Sequence, residues 1–157
     1  MRWARTAACL SAAGLVVALG GCGNGDAAEG LVSNVDKARN AASLAALQTG
    51  LVTVALLQAD SPGGTAQDIA ARLQAKDPTN RYTTAAPTGA GITQVVGGGG
   101  GPIMLVSLNS APSGDREPYF VAAWQGGGAT MYYAGREAPA YSASAPAGTG
   151  WSATLPQ

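Results

Sequence analysis

From Val35 to Ala59 the chain has no proline and a single glycine, Gly50, while Leu44, Leu47, Leu51, Val52, Val54, Leu56 and Leu57 recur along it. Such a run predicts a long helix. Ser33 is placed as its N-cap, with Asp36 three residues later in a capping-box position. Asp60-Ser61-Pro62-Gly63-Gly64 then stops it. At a rise of ~1.5 Å per residue this makes a rod about 40 Å long. Its first turns hold Asp36, Lys37 and Arg39, whereas Ala41 to Ala59 carries no charge and its apolar residues spread around most of the circumference. Three arrangements fit: a central helix wrapped by its domain, a helix with its own sheet on one side and a partner chain on the other, or a membrane span. Gln48, Thr49 and Gly50 at the centre weigh against the span, because polar groups in hydrocarbon are costly.

A second helix is signalled by Thr65 and Asp68 as a capping box, with Ile69, Ala70 and Leu73 as its apolar face and Asp77-Pro78-Thr79-Asn80 as its end. Beyond it the periodicity shortens. Ile92–Val96, Ile103–Leu108, Tyr119–Gln125 and Thr130–Ala134 read as strands joined by glycine-rich or polar turns, which predicts an antiparallel sheet. Alternation places Phe120 and Trp124 on one face of their strand and Tyr119 on the other. The expectation is that Phe120 and Trp124 pack on the long helix, leaving Tyr119 and one of Tyr132 and Tyr133 on the open face. From Ala138 onward Pro, Ala, Ser and Gly dominate and a mobile tail is expected, with Trp151 either folded back on the domain or serving as a short docking motif. The fold class is therefore α+β: a long N-terminal helix and a short second helix packed on a three- or four-stranded antiparallel sheet.

Composition narrows the chemistry. At 157 residues the chain has room for one ordinary domain. Nine basic residues balance nine acidic ones, so net charge gives no reason to expect a nucleic-acid partner. The absence of histidine removes His-based general bases, Ser-His-Asp and Cys-His nucleophilic sites and most zinc sites. Gly97 to Gly101 is followed by Pro102 and a strand, not by the Lys-Ser/Thr and helix that a phosphate loop requires. Asp115 and Glu117 flank Arg116 on one polar loop, unlike the carboxylates of glycosidases, which face each other across a cleft. No catalytic residue, metal site or cofactor is expected, and the protein is read as a non-enzyme.

The N-terminus says where the protein works. Arg2 and Arg5 precede an apolar run, Ala7 to Leu19, that is too short to span a bilayer but suits the core of a signal peptide. It leads into Leu19-Gly20-Gly21-Cys22, which resembles a bacterial lipobox. The resemblance implies a diacylglycerol on the Cys22 thiol, with palmitate-type acyl chains, then cleavage before Cys22 and attachment to the extracytoplasmic face of the cell membrane. Cys9 would leave with the signal, so no disulfide could form within one mature chain. Residues 1–21 are assigned as signal peptide, 22–30 as a flexible tether, 31–136 as the domain and 137–157 as the tail.

The order of elements over 31–134, from Val35-Asp36-Lys37-Ala38-Arg39 through Leu47-Gln48-Thr49 to Leu56-Leu57-Gln58-Ala59-Asp60 and on to the strands, resembles the globular domains of type IV pilins and pseudopilins. Pilins, however, begin with a prepilin-peptidase site and an uninterrupted apolar helix, and here a lipobox and tether stand instead. The resemblance implies a non-catalytic envelope lipoprotein that acts as an interaction or structural component of a pilus-like or secretion assembly, with an envelope protein as partner. A lipoprotein that binds a small molecule or an envelope polymer is the alternative. Leu44, Leu47, Leu51, Tyr119 and Tyr132 are the candidate interaction surface, and Cys22 the lipidation site.

Overall fold

The computed structural model describes residues 25–110, 117–146 and 148–156. Helix α1 (Gly25–Asp60) is followed by α2 (Ala66–Lys76) and six strands: β1 (Arg81–Thr83), β2 (Ile92–Gly97), β3 (Ile103–Ser110), β4 (Tyr119–Gly126), β5 (Ala129–Gly135) and β6 (Trp151–Ser152). The α+β class stands, with more strands than the sequence indicated. The sheet runs in the order β1-β2-β3-β4-β5-β6, with β1 parallel to β2 and every other pair antiparallel. β1 and β6 have three and two residues, too few for alternation to show.

Local chemistry sets these elements. Thr65 caps α2 as expected: its hydroxyl accepts from the Asp68 amide, and the Asp68 carboxylate accepts from the Thr65 amide. The β4–β5 hairpin pairs Gly126 with Ala129 and turns on Gly127 and Gly128, whose φ values of 58° and 80° are those a tight primed turn demands. Helix α1 begins well before Ser33, at Gly25, so the expected tether is helical from that residue on. Ala27, Ala28 and Glu29 are good helix formers, and a helix already nucleated at Val35 extends through them at little cost.

The core is asymmetric. Leu44, Leu47, Leu51 and Val54 on α1, with Ile69, Ala70 and Leu73 on α2, cover one sheet face through Val95, Ile103, Leu105, Val121, Ala123 and Tyr132. The sheet side of this contact is low in relief, and Gly50 lowers the helix side to match. A Cβ at Gly50 would lie 2.9 Å from Leu105 Cδ1, so bare helix backbone sits on that leucine. Where α1 passes the end of β3, Asn109 Nδ2 donates to Asn40 Oδ1 at 2.6 Å and Ser43 donates to Asn109 Oδ1. Inside the same layer the buried Thr93 hydroxyl is paired with that of Ser107 across β2 and β3 at 2.8 Å.

The opposite face carries Met104, Val106, Ala122, Trp124 and Tyr133, with Phe120 and Met131 beside them. This inverts the expected assignment: Phe120 and Trp124 point away from the helix, while Tyr119 and Tyr132 lie on the helix side. The alternation itself holds. The bulk goes to the far face because a helix settling on Leu105 and Ala123 leaves no room there for an indole. The far face is covered by the C-terminal segment, which was expected to be mobile. Trp124 Nε1 donates to Ser142 O at 3.0 Å, Tyr141 Oη to Pro102 O at 3.0 Å and Tyr133 Oη to Glu137 O at 2.9 Å. Trp151 folds back with its ring 5.5 Å from that of Tyr133, and β6 pairs there with β5. Small residues in this arm let its backbone lie close over rings that supply the apolar bulk.

Lys37–Asp60 is long and apolar enough to cross a membrane by length and composition. Its inward stripe is covered by the sheet, while most of the segment is not buried in the domain. The division between its faces is measurable: Leu51→Ala should cost about 2–5 kcal/mol in urea unfolding, as expected for a buried leucine, and Leu56→Ala within about 0.5 kcal/mol, as at an exposed site.

Candidate interaction surface

Helix α1 has two apolar stripes, and only one is used by the domain. The inward stripe includes Leu44, Leu47 and Leu51, each of them buried and Leu51 only 2% exposed. These residues are therefore not available to a partner, which corrects their assignment to the interaction surface. Tyr132 is corrected likewise: it is 7% exposed and packs in the helix-side core. Tyr119 is half-buried against the same core. The residues that do face solvent are Val52, 59% exposed, and Leu56, 67% exposed; among the described residues Leu155 is the remaining large exposed hydrophobe. Cys22 lies outside the described residues.

Around Val52 and Leu56 the outward face consists of Ala38, Ala42, Ala45, Thr49 and Ala59, all exposed. Thr49 does not make this strip polar in the usual sense. Its hydroxyl donates to Ala45 O at 3.1 Å, one turn back, so its hydrogen is already used within the helix. Neither stripe could be assigned from period alone, because both repeat every three or four residues. Side-chain volume was the signal: the inward stripe holds Leu, Leu, Leu and Val, and the outward one is largely Ala.

Two of the clefts among the described residues border α1. One of about 360 Å³ lies at the α1–α2 turn, lined by Leu57, Gln58, Ile69 and Arg72 among others. The other, about 390 Å³, lies between Thr49, Gly50 and Thr53 on α1 and Lys76, Asp77 and Tyr82 around the α2–β1 turn. That turn is tied by side chains. The Asp77 carboxylate accepts from the Thr79 amide at 3.0 Å and the Thr79 hydroxyl, from Asn80 Nδ2 at 2.7 Å and from Tyr82 Oη at 3.2 Å. Gln74 adds a bridge, donating to Asn80 O at 2.9 Å and accepting from the Tyr82 amide at 3.0 Å. Hydrogen bonds from Thr79 and then Asn80 hold the Asp77 carboxyl well below the usual carboxylate range. Burial, with the Asp77 charge beside it, pushes the Tyr82 hydroxyl up to about 12. This network fastens α2 to the sheet edge, and its groups are occupied with one another.

Among the described residues no three His, Cys, Asp or Glu side chains come together as a metal site. Of the loop carboxylates, Glu117 pairs with Arg136 at 2.5 Å on the surface, and Asp115 lies outside the described residues.

The Asp77 cluster has a pH signature. Its carboxyl is depressed in the folded state, so its contribution is complete above the unfolded value near ~4 and is lost as pH falls through the folded value. Urea midpoints measured from pH 7 downward should fall below about pH 4. Asp77→Ala should lower the midpoint at pH 7 and flatten that decline.

Comparison with protein families, with characterised proteins and with solved structures gives no match for this chain.

Proposed function

We propose that the protein is a lipid-anchored, non-catalytic component of the bacterial envelope that uses the outward face of α1 to bind a protein partner, in a pilus-like or secretion assembly. The observation that carries the reading is the solvent-exposed pair Val52 and Leu56 in an uncharged strip that the domain's own core does not use. Exposed apolar surface at the centre of a charge-free helix face is costly in water and is retained where something covers it. The location rests on the lipobox-like Leu19-Gly20-Gly21-Cys22 behind a short basic and apolar segment. Cys22 stands three residues before α1 begins, so a lipid there would hold the helix close to the bilayer surface. The succession of long helix, short helix and antiparallel strands supports the likeness to pilins in element order.

Binding of a small molecule or envelope polymer is the second reading, and the cleft beside Lys76, Asp77 and Tyr82 is its natural place. A ligand there would raise thermal stability and be insensitive to changes at Leu56.

Membrane fractionation combined with in-cell crosslinking tests the first reading on wild type, Cys22→Ser and Leu56→Asp. Cys22→Ser should move the protein out of the membrane fraction and end incorporation of labelled palmitate. Leu56→Asp should stay in the membrane, keep its thermal midpoint and lose its crosslinked partner. Retention of Cys22→Ser would overturn the anchor, and an unchanged crosslink in Leu56→Asp would overturn the helix face.

A further inference from the structure

The outward residues of α1 fall on a strict heptad. Ala38, Ala42, Ala45, Thr49, Val52, Leu56 and Ala59 are separated alternately by four and three residues, and every one is exposed. A 3.5-residue period is the spacing that keeps one seam facing a second helix. A helix meant only to lie on a sheet needs one such seam, and α1 already has it in Leu44, Leu47, Leu51 and Val54. We infer that this outer seam pairs with the same seam of a second copy of the chain, the two helices running antiparallel about a two-fold axis near Gly50–Leu51.

Three features choose this occupant. The first is size. In the antiparallel register Leu56 meets Ala45 of the other copy, Val52 meets Thr49, and Ala59 meets Ala42, so the one large side chain meets an alanine and the other two layers join residues of like size. A parallel pair would stack Leu56 on Leu56 and Ala42 on Ala42, wide at one end and narrow at the other. The second is charge. From Ala41 to Ala59 there is none to repel an identical helix, and Arg39 and Asp60 flank the two ends of the seam. Running antiparallel brings Arg39 of each copy beside Asp60 of the other, in addition to the surface pair that Asp60 makes with Arg72 at 3.6 Å. The third is satisfaction of polar groups: Thr49, the one polar side chain in the seam, has its hydroxyl hydrogen engaged within its own helix.

Area sets the strength. Overlap from Ala42 to Ala59 is about 27 Å at ~1.5 Å per residue, and a contact strip about 10 Å wide makes roughly 270 Å² per copy. The total, roughly 540 Å², falls below the ~1,200 Å² of a standard stable interface. The pair is therefore weak and transient at low concentration. If the lipid anchor of the preceding reading holds, confinement to a bilayer raises the effective concentration, with the paired helices lying along the membrane surface so that both anchors reach it.

Disulfide trapping captures such a pair without needing a stable dimer. The full-length chain, with Cys9 and Cys22 both replaced by Ser, is made as Ala45→Cys, as Leu56→Cys carrying a different tag, and as a Gln67→Cys control on the exposed face of α2. In the antiparallel register positions 45 and 56 of opposite copies are neighbours. Two copies of either single variant keep their thiols about 16 Å apart, from eleven residues at ~1.5 Å, beyond the ~7 Å Cα separation a disulfide tolerates. Mixing the two variants under mild oxidation should yield the two-tag dimer several-fold faster than either variant alone or the control. Crosslinking of Ala45→Cys alone at an equal rate would overturn the antiparallel pair, and no excess over Gln67→Cys would overturn self-association altogether. Failure would leave the anchor reading intact, since no lipid enters this test.

Discussion

The contact on which the rest of the structure depends is the seating of α1 on β3 and β4. Leu44, Leu47, Leu51 and Val54 form a straight, bulky stripe that meets a sheet face kept low by Ala123 and Val121, and Gly50 lets the backbone itself rest on Leu105. Burial of each leucine contributes about 1.5–3 kcal/mol. Where α1 commits that side of the sheet to small and branched residues, Trp124 and Phe120 go to the other side beside Tyr133, while Tyr119 and Tyr132 stay on the helix side. Trp124, Tyr133 and Phe120 then require a cover of their own, which the C-terminal arm supplies. The three layers (helices, sheet, arm) are consequences of one close approach.

The remaining pieces fasten edges. The Gln74–Asp77–Asn80–Tyr82 network converts the end of α2 into the start of β1, and an eight-residue return through the buried Pro87 brings β2 alongside in parallel. Both edge strands are short, so the sheet offers little free ladder to another chain. The unused apolar surface is instead on a helix, the outward side of α1.

Much of this was legible in the sequence where long segments repeat with one period. Both helices, the α2 capping box and the four central strands follow from pattern and turn chemistry, with boundaries close to those observed except at the start of α1, which lies at Gly25 and not after Ser33. What was not legible depends on tertiary choice. Two stripes of the same period on α1 cannot be ranked by period, and only the bulk of Leu44, Leu47 and Leu51 against Ala38, Ala42 and Ala45 marks which is inward. Alternation correctly separates Phe120 and Trp124 from Tyr119, yet says nothing of which face the helix takes. The arm from Ala138 has the composition of a disordered segment because its apolar partners reside on the sheet and not within it. β1 and β6 are defined by their neighbours' registers, a property no three-residue stretch encodes.

The central claim is that one helix serves two surfaces, the inner as the core and the outer as an interface. Single-cysteine scanning of residues 42–57, with thiol-labelling rates read at low and high protein concentration, tests it most directly. The account predicts slow labelling at 44, 47, 51 and 54 under all conditions. It predicts fast labelling at 45, 49, 52 and 56 in dilute protein that slows as concentration rises. Uniform protection along the helix in dilute protein would contradict the two-faced arrangement, and concentration-independent labelling of the outer positions would contradict the outer face as a self-interface.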